Sequence, residues 1–166
     1  MNIHPLFVHF PIAFFVLYVV IEVCTPKKDI DSPWHLVKTV LLVAGRIGAQ
    51  IALSTGEMAA DQIGETDLLE MHELFANITT IVFGINAAIY VWDYIVQRWD
   101  SIIQKYKVTH YLDILIIYIK KRYLHILLAV IGFVAVTYTG ALWWALVYGV
   151  DVDPVVHFLV TILPGL

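Results

Sequence analysis

The sequence predicts an all-α integral membrane protein. It would be a single transmembrane domain over residues 1–166, with four spanning helices in an up-down bundle, a short interfacial helix before the fourth span and a surface helix at the C-terminus. Three observations predict it. Hydrophobic residues make up 60% of the chain and charged residues 14%, with a mean hydropathy of +0.80, whereas soluble domains are about a quarter charged. Four apolar stretches each reach roughly 20 residues, the length a helix needs to cross a hydrocarbon core of about 30 Å. Most of the remaining charge is gathered between those stretches. A single cysteine, Cys24, excludes an internal disulfide framework and any cysteine-based zinc or iron–sulfur site. No Ser/His/Asp arrangement, phosphate loop, CxxC pair or nucleic-acid patch occurs, so neither a soluble-type enzyme nor a nucleic-acid partner is expected.

The first span is expected over residues 5–24. It opens with HPLFVHFPIA, from His4 to Ala13, which sets two histidines and two prolines at the mouth of an apolar run. Pro5 suits the first helical position, where its missing N–H costs nothing. Pro11 lies further in and releases the carbonyl of Phe7, which predicts a kink. That kink would re-aim His9, which five-residue spacing otherwise turns away from His4. No basic residue precedes the apolar run and no small-residue cleavage site follows it, so the first helix is expected to be retained rather than removed as a signal peptide.

The second span is expected over residues 34–56. Gly45, Ala49, Ala52 and Gly56 form a stripe of small residues, a surface that lets a helix or a flat ligand approach closely. Arg46 lies mid-span beside the stripe, with Gln50 one turn on. A central arginine costs at least about 2.5 kcal/mol on insertion scales, so it should face the bundle and meet an anion. A cofactor carboxylate would serve; the alternative is snorkelling, or a water-mediated contact with Glu57 or Glu73. The connection from Glu57 to Glu70 carries acidic residues and no basic one, and reads as an acidic loop.

The third span is expected over residues 71–98, with His72 at its start and Glu73, Asn77, Thr80 and Gly84 at helical spacing. The basic segment from Gln97 to Arg122 contains YLDILIIYI, too short to span and read as the interfacial helix. The fourth span is expected over residues 121–149, with Trp143 and Trp144 in an aromatic belt. The surface helix should start at Pro154.

All Lys and Arg residues except Arg46 lie in or beside the first and third connections. The positive-inside rule then predicts cytoplasmic basic connections, with both termini and the acidic connection outside, in a bacterial cytoplasmic (inner) membrane. His4, His9, His72 and His157 fall on the outer side; His35, His110 and His125 fall on the inner side. In an up-down bundle the first and third helices are diagonal across the core. His9 and His72 are therefore expected to supply the two axial ligands of a b-type haem near the outer face, with His4 as alternate. Arg46 or Gln50 would meet a propionate, with Asn77 nearby on the third helix. His157 is a distant substitute, and His35 with His125 would be needed for a second, inner haem. The function expected on this basis is electron transfer without independent catalysis. The rival expectation is a cofactor-free accessory subunit whose apolar faces pack against larger membrane partners. Transport ranks third, since four spans would need a homo-oligomer to form a pathway.

The HPLFVHFPIA stretch resembles the first-helix signature HPxxVHFPIA of an uncharacterised bacterial family of four-span transmembrane domains, a domain of unknown function. The spacing from His72 to Asn77 is similar to that family's third-helix pattern. The resemblance implies a four-helix membrane architecture. Because some members are joined to c-type cytochrome or Rieske-type modules, it also implies such a module or a larger redox complex as partner, besides the lipid bilayer. One departure stands out. Related sequences end the fourth helix with a pattern like LVYxHGVGV, and this chain reads LVYGVDVDP from Leu146 to Pro154, without that histidine.

Overall fold

In the computed structural model the described residues are 4–25, 32–98 and 122–163. Among them the chain is all helical, without strands: α1 (His4–Cys24), α2 (Pro33–Ile63), α3 (Asp67–Arg98), α4 (Arg122–Tyr148) and α5 (Pro154–Thr161). The basic segment with the expected interfacial helix, and His110 within it, lie outside the described residues.

The first four helices are long and apolar enough to cross a membrane. Only 28% to 39% of their spanning residues are buried within the protein, so Phe10, Leu17, Val40, Ile47, Ile81, Leu127 and Val147 face outward. Such surfaces are compatible with contact to a lipid bilayer and would be unfavourable in water.

Local chemistry explains the ends. Ser32 caps α2, its hydroxyl accepting from the Trp34 N–H, and proline occupies the first turn. The helix then runs past Gly56 and through Glu57 as far as Ile63, so much of the expected acidic loop is helix. Nothing in that stretch breaks a helix until Gly64, whose φ of 82° is a conformation that side-chain-bearing residues avoid. The N–H of Gly64 still donates to the Ala60 carbonyl at 3.1 Å. Thr66 then opens α3, its hydroxyl accepting from the Leu69 N–H, and Asp67 and Glu70 lie in the first turn, where acidic groups suit the helix dipole. Asp153 caps α5 by accepting from the N–H groups of Val155 and Val156.

α1 packs on α2 and α4, and α3 packs on the same two helices. The core is drawn from all four: Phe15 and Tyr18 of α1, Leu42 and Ala49 of α2, Phe83 and Tyr90 of α3, and Ala129 of α4. α1 and α3 meet across it where Phe15 stacks on Phe83, with centroids 4.1 Å apart. Glycines make this layer: a Cβ at Gly45 would lie 2.5 Å from the Phe15 ring, and one at Gly132 would lie 2.7 Å from the Phe83 ring. α5 folds back so that Val156 and Val160 pack on Ala141, Leu142 and Ala145 of α4.

Candidate functional site

The Phe15–Phe83 layer divides the interior. On the side of the α2–α3 link lies a cavity of about 390 Å³, between α1, α2, α3 and α4. Val8, Pro11, Ile12 and Phe15 form its α1 wall, and Ala49, Ala52 and Gly56 of the small-residue stripe form part of its α2 wall. Small residues at these positions leave volume between helices that larger ones would fill. Polar groups enter from Gln50, His72, Asn77 and Thr80, and two carboxylate residues, Glu57 and Glu73, also line it. Its size and mixed lining match sites that enclose small ligands.

His72 is the best-defined polar group there. Its Nδ1 lies 3.0 Å from the carbonyl oxygen of Thr139 on α4, and its ring is 5.5 Å from that of Trp143. A carbonyl only accepts hydrogen bonds, so Nδ1 carries the proton and a neutral imidazole has its lone pair on Nε2. A backbone carbonyl on one ring nitrogen is the arrangement that orients histidines whose other nitrogen binds a metal.

The remaining expected residues divide. Gln50 and Asn77 line the cavity and Arg46 does not. Arg46 donates from Nη1 to Gln50 Oε1 at 2.9 Å, and its side chain lies against Gly84 of α3. His9 is exposed on α1 and is not on the cavity wall. The helix continues through Pro11, which is buried and sits opposite Gly48 of α2. His9, two residues earlier, is about 200° around the helix from it. The structure therefore brings His72, Gln50 and Asn77 together and leaves His9 apart. The side chain of His4 lies outside the described residues. His157 is on α5, away from the cavity, with Nδ1 3.1 Å from Asp151 Oδ1. Among the described residues no three His, Cys, Asp or Glu side chains converge as a metal-binding group.

No family model, curated protein or solved structure matches the chain.

Beyond the aromatic layer, at the end where α1 stops and α2 begins, lies a second polar assembly that sequence reasoning did not single out. Glu22 of α1 is 1% exposed and its Oε2 lies 2.9 Å from Lys38 Nζ of α2. The same oxygen accepts from the Tyr90 hydroxyl of α3 at 2.5 Å. The Tyr90 ring is 5.1 Å from the ring of His35 and 5.1 Å from that of His125. Tyr90 thus contacts both imidazoles that a second, inner haem would use. Helical spacing carried the signal: Tyr18 and Glu22 are four apart on α1, as are Asn86 and Tyr90 on α3, so each pair shares a face.

Proposed function

We propose that this chain is a redox subunit of a bacterial cytoplasmic membrane, an up-down four-helix bundle that holds a b-type haem at His72 in the cavity near the outer face. The observation that carries the reading is the His72–Thr139 contact, which presents an oriented imidazole to a cavity of mixed lining among four helices. His72 is the described residue that would hold the group, in a cavity whose apolar walls are interrupted by Gln50, Asn77, Glu57 and Glu73. His9, on the outward face of α1, would need a rotation of that helix end to serve as second ligand.

A bound b-type haem would supply one-electron chemistry. The chain's own residues would do the rest. His72 would bind, held by Thr139; Gln50, bonded to Arg46, would offer a polar contact backed by positive charge; and Phe15, Ala49 and Val136 would exclude water.

The charge distribution supports cytoplasmic basic connections, with the termini, the acidic α2–α3 link and α5 outside. α5 and the residue that caps it leave Val155, Phe158 and Ile162 exposed, which suits burial at the membrane surface. Expected partners are a c-type cytochrome, a Rieske-type module or a larger redox complex, consistent with the resemblance carried by HPLFVHFPIA. The separation of His9 from His72 favours the second reading, a cofactor-free accessory subunit.

One spectrum separates the two. Protein purified in detergent from haem-supplemented cells should show a Soret band that shifts on reduction, is lost in His72→Ala and is retained in His9→Ala. A colourless wild-type preparation without iron by elemental analysis would overturn the haem reading in favour of the accessory one.

A further inference from the structure

The assembly beyond the aromatic layer plays no part in the proposed haem site, and its composition asks for an explanation. Charged side chains inside a membrane bundle are costly and tend to mark ion pathways or proton relays. Stability does not account for this one, because a buried ion pair often contributes no more than apolar residues of the same volume.

The groups that face one another come from all four spanning helices. α1 supplies Tyr18 and Glu22, α2 supplies His35 and Lys38, α3 supplies Tyr90 and Asp93, and α4 supplies His125. His125 is 1% exposed, Lys38 4%, Asp93 6% and His35 8%. With neutral imidazoles, the described side chains sum to two carboxylates against one ammonium, a net charge of −1 in a region of low dielectric. The proton-accepting groups gathered there are two carboxyls, Glu22 and Asp93, and two imidazoles, His35 and His125. The Tyr90 hydroxyl already donates to Glu22, so it can relay a proton toward that carboxylate.

A second observation is independent of the charges. Asn86, one turn from Tyr90, is 0% exposed, and neither its amide oxygen nor its amide nitrogen has a protein hydrogen-bond partner. Water is the partner that such a buried amide calls for, and water beside Tyr90 is what a proton path requires. The assembly lies near helix ends: Glu22 is two residues from the end of α1 and His35 two residues from the start of α2, about 3 Å along each helix axis.

We propose that this buried assembly, centred on Glu22, Lys38 and Tyr90, is a proton-binding site that takes up one proton from the aqueous phase at the α1–α2 end and shares it among its carboxylates and the two imidazoles. The site does not depend on haem. Only a proton moves; no covalent bond between heavy atoms changes.

Infrared difference spectroscopy of the full chain in lipid nanodiscs tests it. Between about pH 5 and about pH 9, a range that brackets the ordinary imidazole value, wild-type protein should show paired changes in carboxylic-acid and histidine-ring bands. Isotope labelling of glutamate, aspartate and histidine in the wild-type chain assigns these bands without substitution. Glu22→Gln or Asp93→Asn should remove the carboxylic-acid component. The double variant His35→Gln/His125→Gln should diminish the ring component, to which the chain's five other histidines also contribute. Labelled wild-type bands that stay constant across the range would overturn the proposal, as would changes of undiminished, wild-type size in all three variants.

Discussion

At the residue scale, Glu22 and Lys38 illustrate how a buried charge depends on its partner. Their side chains are 1% and 5% exposed and 2.9 Å apart. Removing one partner leaves the other charged and enclosed, at a cost of about 3–5 kcal/mol, whereas replacing both with apolar groups is often neutral. Lys38→Met is therefore expected to lower the thermal unfolding midpoint in detergent strongly, and Glu22→Leu/Lys38→Met to recover most of the loss. Neither residue stands out in the sequence. Lys38 reads as part of the basic flank that sets orientation, and Glu22 as an acid near a helix end. His72 was legible because a histidine at the start of an apolar span is unusual. Its partner was not, because Thr139 contributes a backbone carbonyl and every residue has one.

At the element scale, small residues decide where helices touch. A Cβ at Gly132 would meet the Phe83 ring at 2.7 Å, and that ring is fully buried and stacked on Phe15, so it has no room to yield. Gly132→Ala is expected to destabilise the protein by about 1–3 kcal/mol through overpacking. Gly140, on the same helix, has nothing within 4 Å of its added Cβ, and Gly140→Ala should leave the unfolding midpoint unchanged or higher. Thermal melts of the two variants side by side read the difference. At the short helix α5, the Asp153 carboxylate accepts two backbone N–H groups, and Asp153→Ala should cost about 1 kcal/mol, seen as faster amide exchange at Val155 and Val156. The sequence marked the small-residue stripe on α2 and the start of α5 at Pro154. It did not carry α2 through Glu57 to Ile63, because acidic residues beside alanine suit an exposed helix as readily as a loop. It did place Pro11 inside the first helix, but not the seat of its ring opposite Gly48 of α2.

At the scale of the whole molecule, orientation is the testable quantity. On the proposed arrangement, Cys24 at the end of α1 lies on the cytoplasmic side and the exposed Glu65 on the outer side. In intact cells, a membrane-impermeant maleimide should label Glu65→Cys/Cys24→Ser and leave the parent protein unlabelled until the membrane is opened; the reverse pattern would invert the bundle. The interior has two compartments, a cavity with His72 and a charged assembly around Tyr90, with the Phe15–Phe83 pair between them. By itself the sequence determined four apolar helices long enough to span, their approximate ends and the helix after Pro154, because hydropathy, proline and glycine act locally. Only the tertiary structure decided which side chains face inward. That choice turned His9 outward and His72 onto a cavity, and it gathered Glu22, Lys38, Tyr90, His35 and His125 at one end. Inward facing is fixed by rotation of each helix about its own axis, and that rotation is set by contacts such as Phe83 on Gly132 and Pro11 on Gly48, between residues distant in the chain.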